Sequence, residues 1–268
     1  MKKASLLLAS GIVCLSLTAA NAAVIVQDSF GVNITDDPGD PVDGDWTVFG
    51  TPGTASYVGD GTNGVLDQSG GDGYDGVRTD FSAFTMSSAG DSISFSAKVR
   101  HDVVSVIATG FRIALINTDG TNPDATSNDT YGFMFALNLN DGPGSGAGIY
   151  EATNNTVGGG GKLGGSSSLD LSGGNVWQTV NGTITYLGGN DFQFSFGVDG
   201  NNYVDEITYT DVNPTLTYNR IVFGLGGSGA GTGFQLDDVN VTTVVPEPSS
   251  MSAGLLAGIC GLVFRRSR

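Results

Sequence analysis

Phe192-Gln193-Phe194-Ser195-Phe196-Gly197-Val198 places three phenylalanines and a valine on every second residue. Successive side chains of an extended chain point to opposite faces, so the stretch reads as a strand with one aromatic face and one polar face. Turn formers bound it, with Leu187-Gly188-Gly189-Asn190 before and Asp199-Gly200-Asn201 after. Outward from it the same period recurs. Ile93, Phe95, Ala97 and Val99 alternate with Ser94, Ser96, Lys98 and Arg100. Phe111, Ile113 and Leu115 repeat the pattern, as do Phe133, Phe135, Leu137 and Leu139. Ile184 with Tyr186, Ile207 with Tyr209, and Ile221, Phe223 and Leu225 mark further strands. A closing strand is expected from about Phe234 to Val244. The glycine-rich gap between Gly142 and Ser168 reads as a long surface excursion, interrupted by a short strand near Ile149-Tyr150.

Between Ala23 and Val245 no segment shows a convincing amphipathic helix. Glycine is abundant, at 43 residues in the whole chain, while helix-favouring Lys and Glu are scarce. Many short strands joined by glycine-rich turns imply an all-β sandwich or barrel. No fixed-period repeat is present, which excludes a solenoid or propeller.

The two ends carry addresses. Lys2 and Lys3 precede an apolar run from Leu6 to Leu17, and Ala20-Asn21-Ala22 supplies small residues before a cut. This is the layout of a secretory signal peptide spanning residues 1–22, with cleavage after Ala22 and Ala23 as the alternative. At the other end, Val245-Pro246-Glu247-Pro248 leads into an apolar run from Met251 to Phe264, then Arg265-Arg266-Ser267-Arg268. As a short apolar helix that run would span about 21 Å against ~30 Å of hydrocarbon core, so it suits a transient hold better than a permanent anchor. The terminal arginines would keep its end on the cytoplasmic side.

Pro246, Glu247, Pro248, the apolar run, and Arg265 and Arg266 of the arginine cluster together resemble the PEP-CTERM sorting signal, over residues 246–268. The resemblance implies an exosortase-type processing enzyme as partner and transient residence of the tail in the inner membrane. It also implies delivery to the envelope, cell surface or extracellular matrix of a Gram-negative-type bacterium.

Removing both ends leaves a domain at 23–245. Cys14 and Cys260 lie in the removable segments, so the domain holds no disulfide and must stand on its hydrophobic core. Its charge is 26 acidic against 6 basic residues, a formal net of −20. Such a surface repels nucleic acid and anionic membranes. Solubility outside the cell accounts for it, and cation binding is the sharper alternative.

The domain's own ends carry a second resemblance. Val24-Ile25-Val26-Gln27-Asp28-Ser29-Phe30 and Phe234-Gln235-Leu236-Asp237-Asp238-Val239-Asn240-Val241 are similar to the first and last strands of concanavalin-A-like jelly rolls of the laminin-G and carbohydrate-binding type. The resemblance implies an antiparallel two-sheet sandwich whose terminal strands lie close together. Phe234 and Leu236 share a face, but strict alternation would turn Val239 and Val241 away from it. One extra residue restores them, which predicts a β-bulge at Asp237-Asp238. Jelly rolls of this type often hold one structural calcium near these strands, which makes Asp28, Asp237 and Asp238 its candidate ligands. Hydrogen-bond donors from a neighbouring loop would serve the same carboxylates.

Chemistry elsewhere is sparse. Retaining glycosidases need two carboxylates about 5 Å apart. The domain's only glutamates, Glu151 and Glu206, are distant in sequence and lack an E-x-D-x-x-E motif. His101 is the only histidine, read as solvated at a strand end, and no G-x-S-x-G elbow accompanies it. Gly70-Gly71-Asp72-Gly73-Tyr74-Asp75-Gly76-Val77 matches one copy of a calcium-binding nonapeptide that works only in arrays. The acidic stretch Asp36–Asp45 lacks EF-hand spacing and reads as a solvated loop. Sugar rings stack on exposed aromatic faces, so Trp46, Tyr74, Tyr150, Trp177 and Tyr203 are the glycan-contact candidates, although for the two tryptophans core plugging is the favoured reading. The Asn-X-Ser/Thr sites at Asn33, Asn128, Asn154, Asn181 and Asn240 are incidental in a bacterium. These residues point to a non-catalytic surface or matrix protein with an adhesion or structural module. A lectin-like carbohydrate-binding module is the alternative, and a polysaccharide hydrolase or lyase comes third.

Overall fold

A computed structural model describes residues 20–30, 44–49, 54–59, 64–69, 75–101, 110–118, 132–139, 147–152, 159–165, 170–171, 176–208, 215–226 and 234–246. They form sixteen strands and, among the described residues, no helix. In chain order these are β1 (Ala20–Asp28), β2 (Thr47–Phe49), β3 (Thr54–Gly59), β4 (Gly64–Ser69), β5 (Asp75–Thr85), β6 (Ser92–His101), β7 (Gly110–Ile116) and β8 (Gly132–Leu139). Then follow β9 (Gly148–Ala152), β10 (Gly159–Gly164), β11 (Asp170–Leu171), β12 (Gln178–Gly188), β13 (Asp191–Val198), β14 (Asn201–Thr208), β15 (Thr217–Gly226) and β16 (Phe234–Pro246). The compact unit is Ala22–Val245.

The strands build two sheets. Sheet A runs β14-β13-β12-β6-β16-β4-β3, with β1 also pairing β16. Sheet B runs β10-β9-β8-β7-β15-β5-β2, with a two-residue parallel pairing of β11 on the end of β8. The remaining strand pairs with a described register are antiparallel, and the architecture is the expected antiparallel two-sheet sandwich. The terminal strands lie side by side, as the jelly-roll resemblance implies.

The phenylalanines decide how the sheets close. Phe192, Phe194 and Phe196 of β13 are buried, as are Phe133 and Phe135 of β8. Phe133 meets Phe194 edge-on at 4.8 Å, and Phe135 meets Phe95 at 5.3 Å and Phe196 at 5.3 Å. Rings from one sheet therefore pack between rings of the other, each contributing about 1.5–3 kcal/mol by burial. One glycine makes room for this packing. Gly182 of β12 sits opposite Phe95 of β6 and Phe196 of β13, where an alanine Cβ would lie 2.5 Å from Phe95 Cζ.

Two expectations change, and four strands are new. The excursion at 142–168 contains the expected strand at Ile149-Tyr150, β9, but also a partner, β10, at the edge of sheet B. The Gly159-Gly160-Gly161 run has no side chains to alternate, so its pairing left no period. Gly165 then closes the edge at φ +144°, where a Cβ would lie 2.6 Å from the Ala147 carbonyl oxygen. His101 is not solvated. It ends β6 but is only 2 % exposed, facing the interior in phase with Val99. Strands β2 to β5 were not visible in the sequence. In β5, Val77 and Thr79 are buried and Phe81 packs on the core in the same phase, but Phe84 packs there three residues further on. Between Asp80 and Phe84 the strand advances four residues while β15 advances two, and the irregularity breaks the period.

The bulge is where alternation placed it. Asp237 pairs with Lys98 and Asn240 with Ser96, so β16 carries one extra residue there. Asp238 takes φ +48°, a left-handed position tolerated by aspartate. Phe234, Leu236, Val239 and Val241 are all buried as a result.

Candidate functional site

The calcium candidates are each engaged locally. Asp28 is 1 % exposed at the end of β1, where its Oδ1 accepts the Phe30 N–H at 2.8 Å. This Asx-type turn holds Phe30 at φ +51°, a costly conformation for a bulky residue, while its ring is buried against Trp46 at 5.5 Å. Asp28 Oδ2 accepts the Trp46 indole N–H at 2.6 Å. On β16, Asp237 Oδ1 accepts the backbone N–H of Asp238, and the Asp238 carboxylate pairs with Lys98. That pair raises the Lys98 pKa, first through the hydrogen bond and then through charge. The fold does not gather the three aspartates, and among the described residues no group of three or more His, Cys, Asp or Glu could hold a metal.

The aromatic candidates separate. Trp46 takes the favoured core reading, which corrects its place among the glycan-contact candidates: it is 3 % exposed and packs on Phe30 and Phe223. Large aromatics gain most from burial, and Asp28 satisfies the indole N–H. Tyr150 of β9 is half-buried on the outer side of sheet B, with the Lys162 ammonium 5.9 Å from its ring centroid. Tyr203 of β14 is half-buried at the rim of the core, and its hydroxyl donates to Asp205 Oδ2 at 2.8 Å, which raises its pKa. Trp177 is half-buried beside β12, with the Arg100 guanidinium 4.6 Å above its ring. Tyr74 lies outside the described residues, as do Glu247, Pro248, Arg265, Arg266 and most of the signal segment. Pro246 ends β16.

Sheet B carries three arginines on its outer side. Arg220 pairs with the Asp80 carboxylate on the neighbouring strand. Arg78 contacts Thr47 Oγ1 at 3.4 Å, and burial, then the charge of Arg220, lowers its pKa. Arg112 faces the same way on β7, between the buried Phe111 and Ile113.

The outer side of sheet A is the feature that residue-by-residue reading missed. Register lines up side chains from five strands into rows. One row is Asn202, Gly197, Asn181, Ser96 and Asn240. The next is Val204, Ser195, Thr183, Ser94 and Thr242. Neighbours satisfy one another, with Ser94 Oγ 2.9 Å from Thr183 Oγ1 and Asn181 Nδ2 donating to Asn202 Oδ1 at 3.2 Å. A third row begins with Glu206 and Gln193, whose amide donates to Glu206 at 3.0 Å. At the opposite end Trp177, Arg100 and Gln235 close the face, Arg100 donating to Gln235 Oε1. The signal was present in the polar phase of each alternating strand, but register alone assembles it.

No protein-family model matches the sequence, and no curated protein matches it. Among solved structures, the chain is similar to peanut lectin at 13 % identity and TM-score 0.45, over 86 % of this chain and 99 % of that one. It is similar to winged bean acidic lectin at 12 % identity and TM-score 0.46, over 85 % and 100 %. It is similar to an endo-β-1,4-glucuronan lyase from the fungus Trichoderma reesei at 14 % identity and TM-score 0.44, over 78 % and 93 %. These are likenesses of strand layout and carry no argument about activity.

Proposed function

We propose that this chain is an exported, non-catalytic protein of the cell surface or extracellular matrix. Its PEP-CTERM tail is processed by an exosortase-type enzyme during transient residence in the inner membrane, and its sandwich serves adhesion or matrix structure. The observation that carries the non-catalytic reading is the placement of the two glutamates. Glu151 lies on β9 of sheet B, and Glu206 lies on β14 of sheet A, facing solvent and held by Gln193. Packed sheets stand about 10 Å apart, so these carboxylates cannot form the ~5 Å pair of a retaining glycosidase. His101, buried in the interior, is equally unavailable to a substrate. Export is supported by the sequence at both ends, the signal-peptide layout of residues 1–22 and the tail at 246–268.

The lectin-like alternative is favoured by one specific observation, the half-buried rows of hydroxyl and amide side chains on the outer side of sheet A. The test is fractionation of an exosortase-bearing host expressing the chain, beside a variant with Pro246, Glu247 and Pro248 replaced by alanine. The parent is expected at the surface with its mass reduced by loss of the tail, and the variant uncut in the inner membrane. Identical mass and location for both would overturn the sorting reading. Release of sugar from any polysaccharide by the purified protein would overturn the non-catalytic one.

A further inference from the structure

We infer that the outer face of sheet A is a docking surface for a neutral, hydroxyl-bearing polysaccharide chain, an inference that rests on the glycan-contact form of the function proposed above. The two central rows comprise ten positions on five adjacent strands, and none is ionisable. Eight carry a hydroxyl or a carboxamide, namely Asn202, Asn181, Ser96, Asn240, Ser195, Thr183, Ser94 and Thr242. The other two are Gly197, which the Asn202 side chain covers, and Val204, which is 56 % exposed. Strand spacing sets these groups about 4.8 Å apart across the sheet and about 7 Å apart along it, a repeat that a polymer of hydroxyl groups can follow.

The chemistry of this face selects the occupant. Each hydroxyl and carboxamide both donates and accepts, which matches sugar hydroxyls and gives no preference to a charged group. A carboxylate- or sulfate-bearing polymer would meet no cation along the rows and would approach a domain of net charge −20. The nearest cations are committed, Lys98 to Asp238 and Arg100 to Gln235 and the Trp177 ring. Trp177 lies two residues beyond Thr179, which pairs with Lys98 and separates it from the row of Asn181 and Ser96, so a polymer running along the strands would bring a sugar to its ring. The backbone beneath is held by paired strands on both sides of β12, β6 and β13, so the array is set before any ligand arrives.

The test is affinity electrophoresis of the full chain in native gels containing hydroxyethyl cellulose, with polygalacturonate as the anionic comparator. Thr183→Arg, at the centre of the rows and outside the core, is compared with the parent and with Trp177→Ala, circular dichroism confirming that each is folded. Retardation by hydroxyethyl cellulose is expected, weakened about tenfold by Thr183→Arg and by a similar factor in Trp177→Ala. Retardation by polygalacturonate alone would overturn the neutral-polymer inference while leaving glycan contact standing. Retardation by hydroxyethyl cellulose that Thr183→Arg and Trp177→Ala do not change would place the site elsewhere. No retardation in either gel would remove both the inference and the glycan-contact reading. A dimer in sedimentation that Thr183→Arg dissociates would make a second copy of this chain the occupant instead.

Discussion

Gly182→Ala sets two opposing effects against each other at one position. A glycine inside a strand is normally a weakness, and alanine there should gain about 0.5–1 kcal/mol from the smaller entropy lost on folding. The packing opposes this. An alanine Cβ would lie 2.5 Å from Phe95 Cζ, closer than real Cβ contacts come, so the Phe95 ring must move by a substantial fraction of an ångström. That ring is not free to move, because it meets Phe135 edge-on at 5.3 Å and Phe135 in turn meets Phe196 at 5.3 Å. Overpacking of a filled core costs about 1–3 kcal/mol, so the net expectation is destabilisation by about 1–2 kcal/mol. For a domain of this size that is a fall in Tm of about 2–8 °C. Equilibrium unfolding in urea, followed by tryptophan fluorescence, measures it. Phe95→Leu should relieve the clash, so the double variant should be less destabilised than the two single changes summed, by about 1 kcal/mol. A Gly182→Ala protein as stable as the parent, with no coupling to Phe95, would refute the packing account.

Trp46→Phe keeps an aromatic ring against Phe30 and Phe223 but removes the donor to the buried Asp28 carboxylate. A hydrogen bond to a charged group contributes about 1.5–3 kcal/mol, so a loss of about 2 kcal/mol is expected in urea unfolding. The blue-shifted part of the native emission should vanish with it, leaving the half-exposed Trp177; unchanged stability would show that Asp28 does not depend on the indole. Alkaline pH supplies the other expectation. Burial raises the pKa of Tyr218 well above the ordinary tyrosine value, so the folded state keeps a proton that the unfolded chain releases above about pH 10. Stability from this group is present below that pH and is lost as pH rises toward the folded value. The raised pKa values of Lys98 and Tyr203 act in the same direction. The urea midpoint should fall between pH 9 and pH 11.5, and fall less in Tyr218→Phe, which itself costs about 1 kcal/mol through the lost bond to the Thr215 carbonyl. A flat midpoint across that range would contradict the assignment.

Alternation by itself determined the strands that build the middle of both sheets, because a side chain's face follows from its parity wherever a strand is half-buried. β6, β7, β8, β13 and β15 were readable for that reason, and so was the Asp237-Asp238 bulge, which is a parity conflict inside one strand. Parity failed where side chains were missing, as in Gly159-Gly160-Gly161, or where an irregularity shifted it, as in β5. Burial of single polar residues was not readable either. Asp28 and Trp46 stand 18 residues apart and satisfy each other only after the chain has returned, which turned a ligand candidate and a platform candidate into one core contact. His101 sits at a strand end in the sequence, yet its parity and the sandwich bury it. The rows on sheet A belong wholly to tertiary structure. β6 and β12 are separated by more than seventy residues and β16 lies further on, so no local pattern can say that Ser94, Thr183 and Thr242 are neighbours. Composition and parity decide which face of a strand meets water, but only pairing register decides what that face presents.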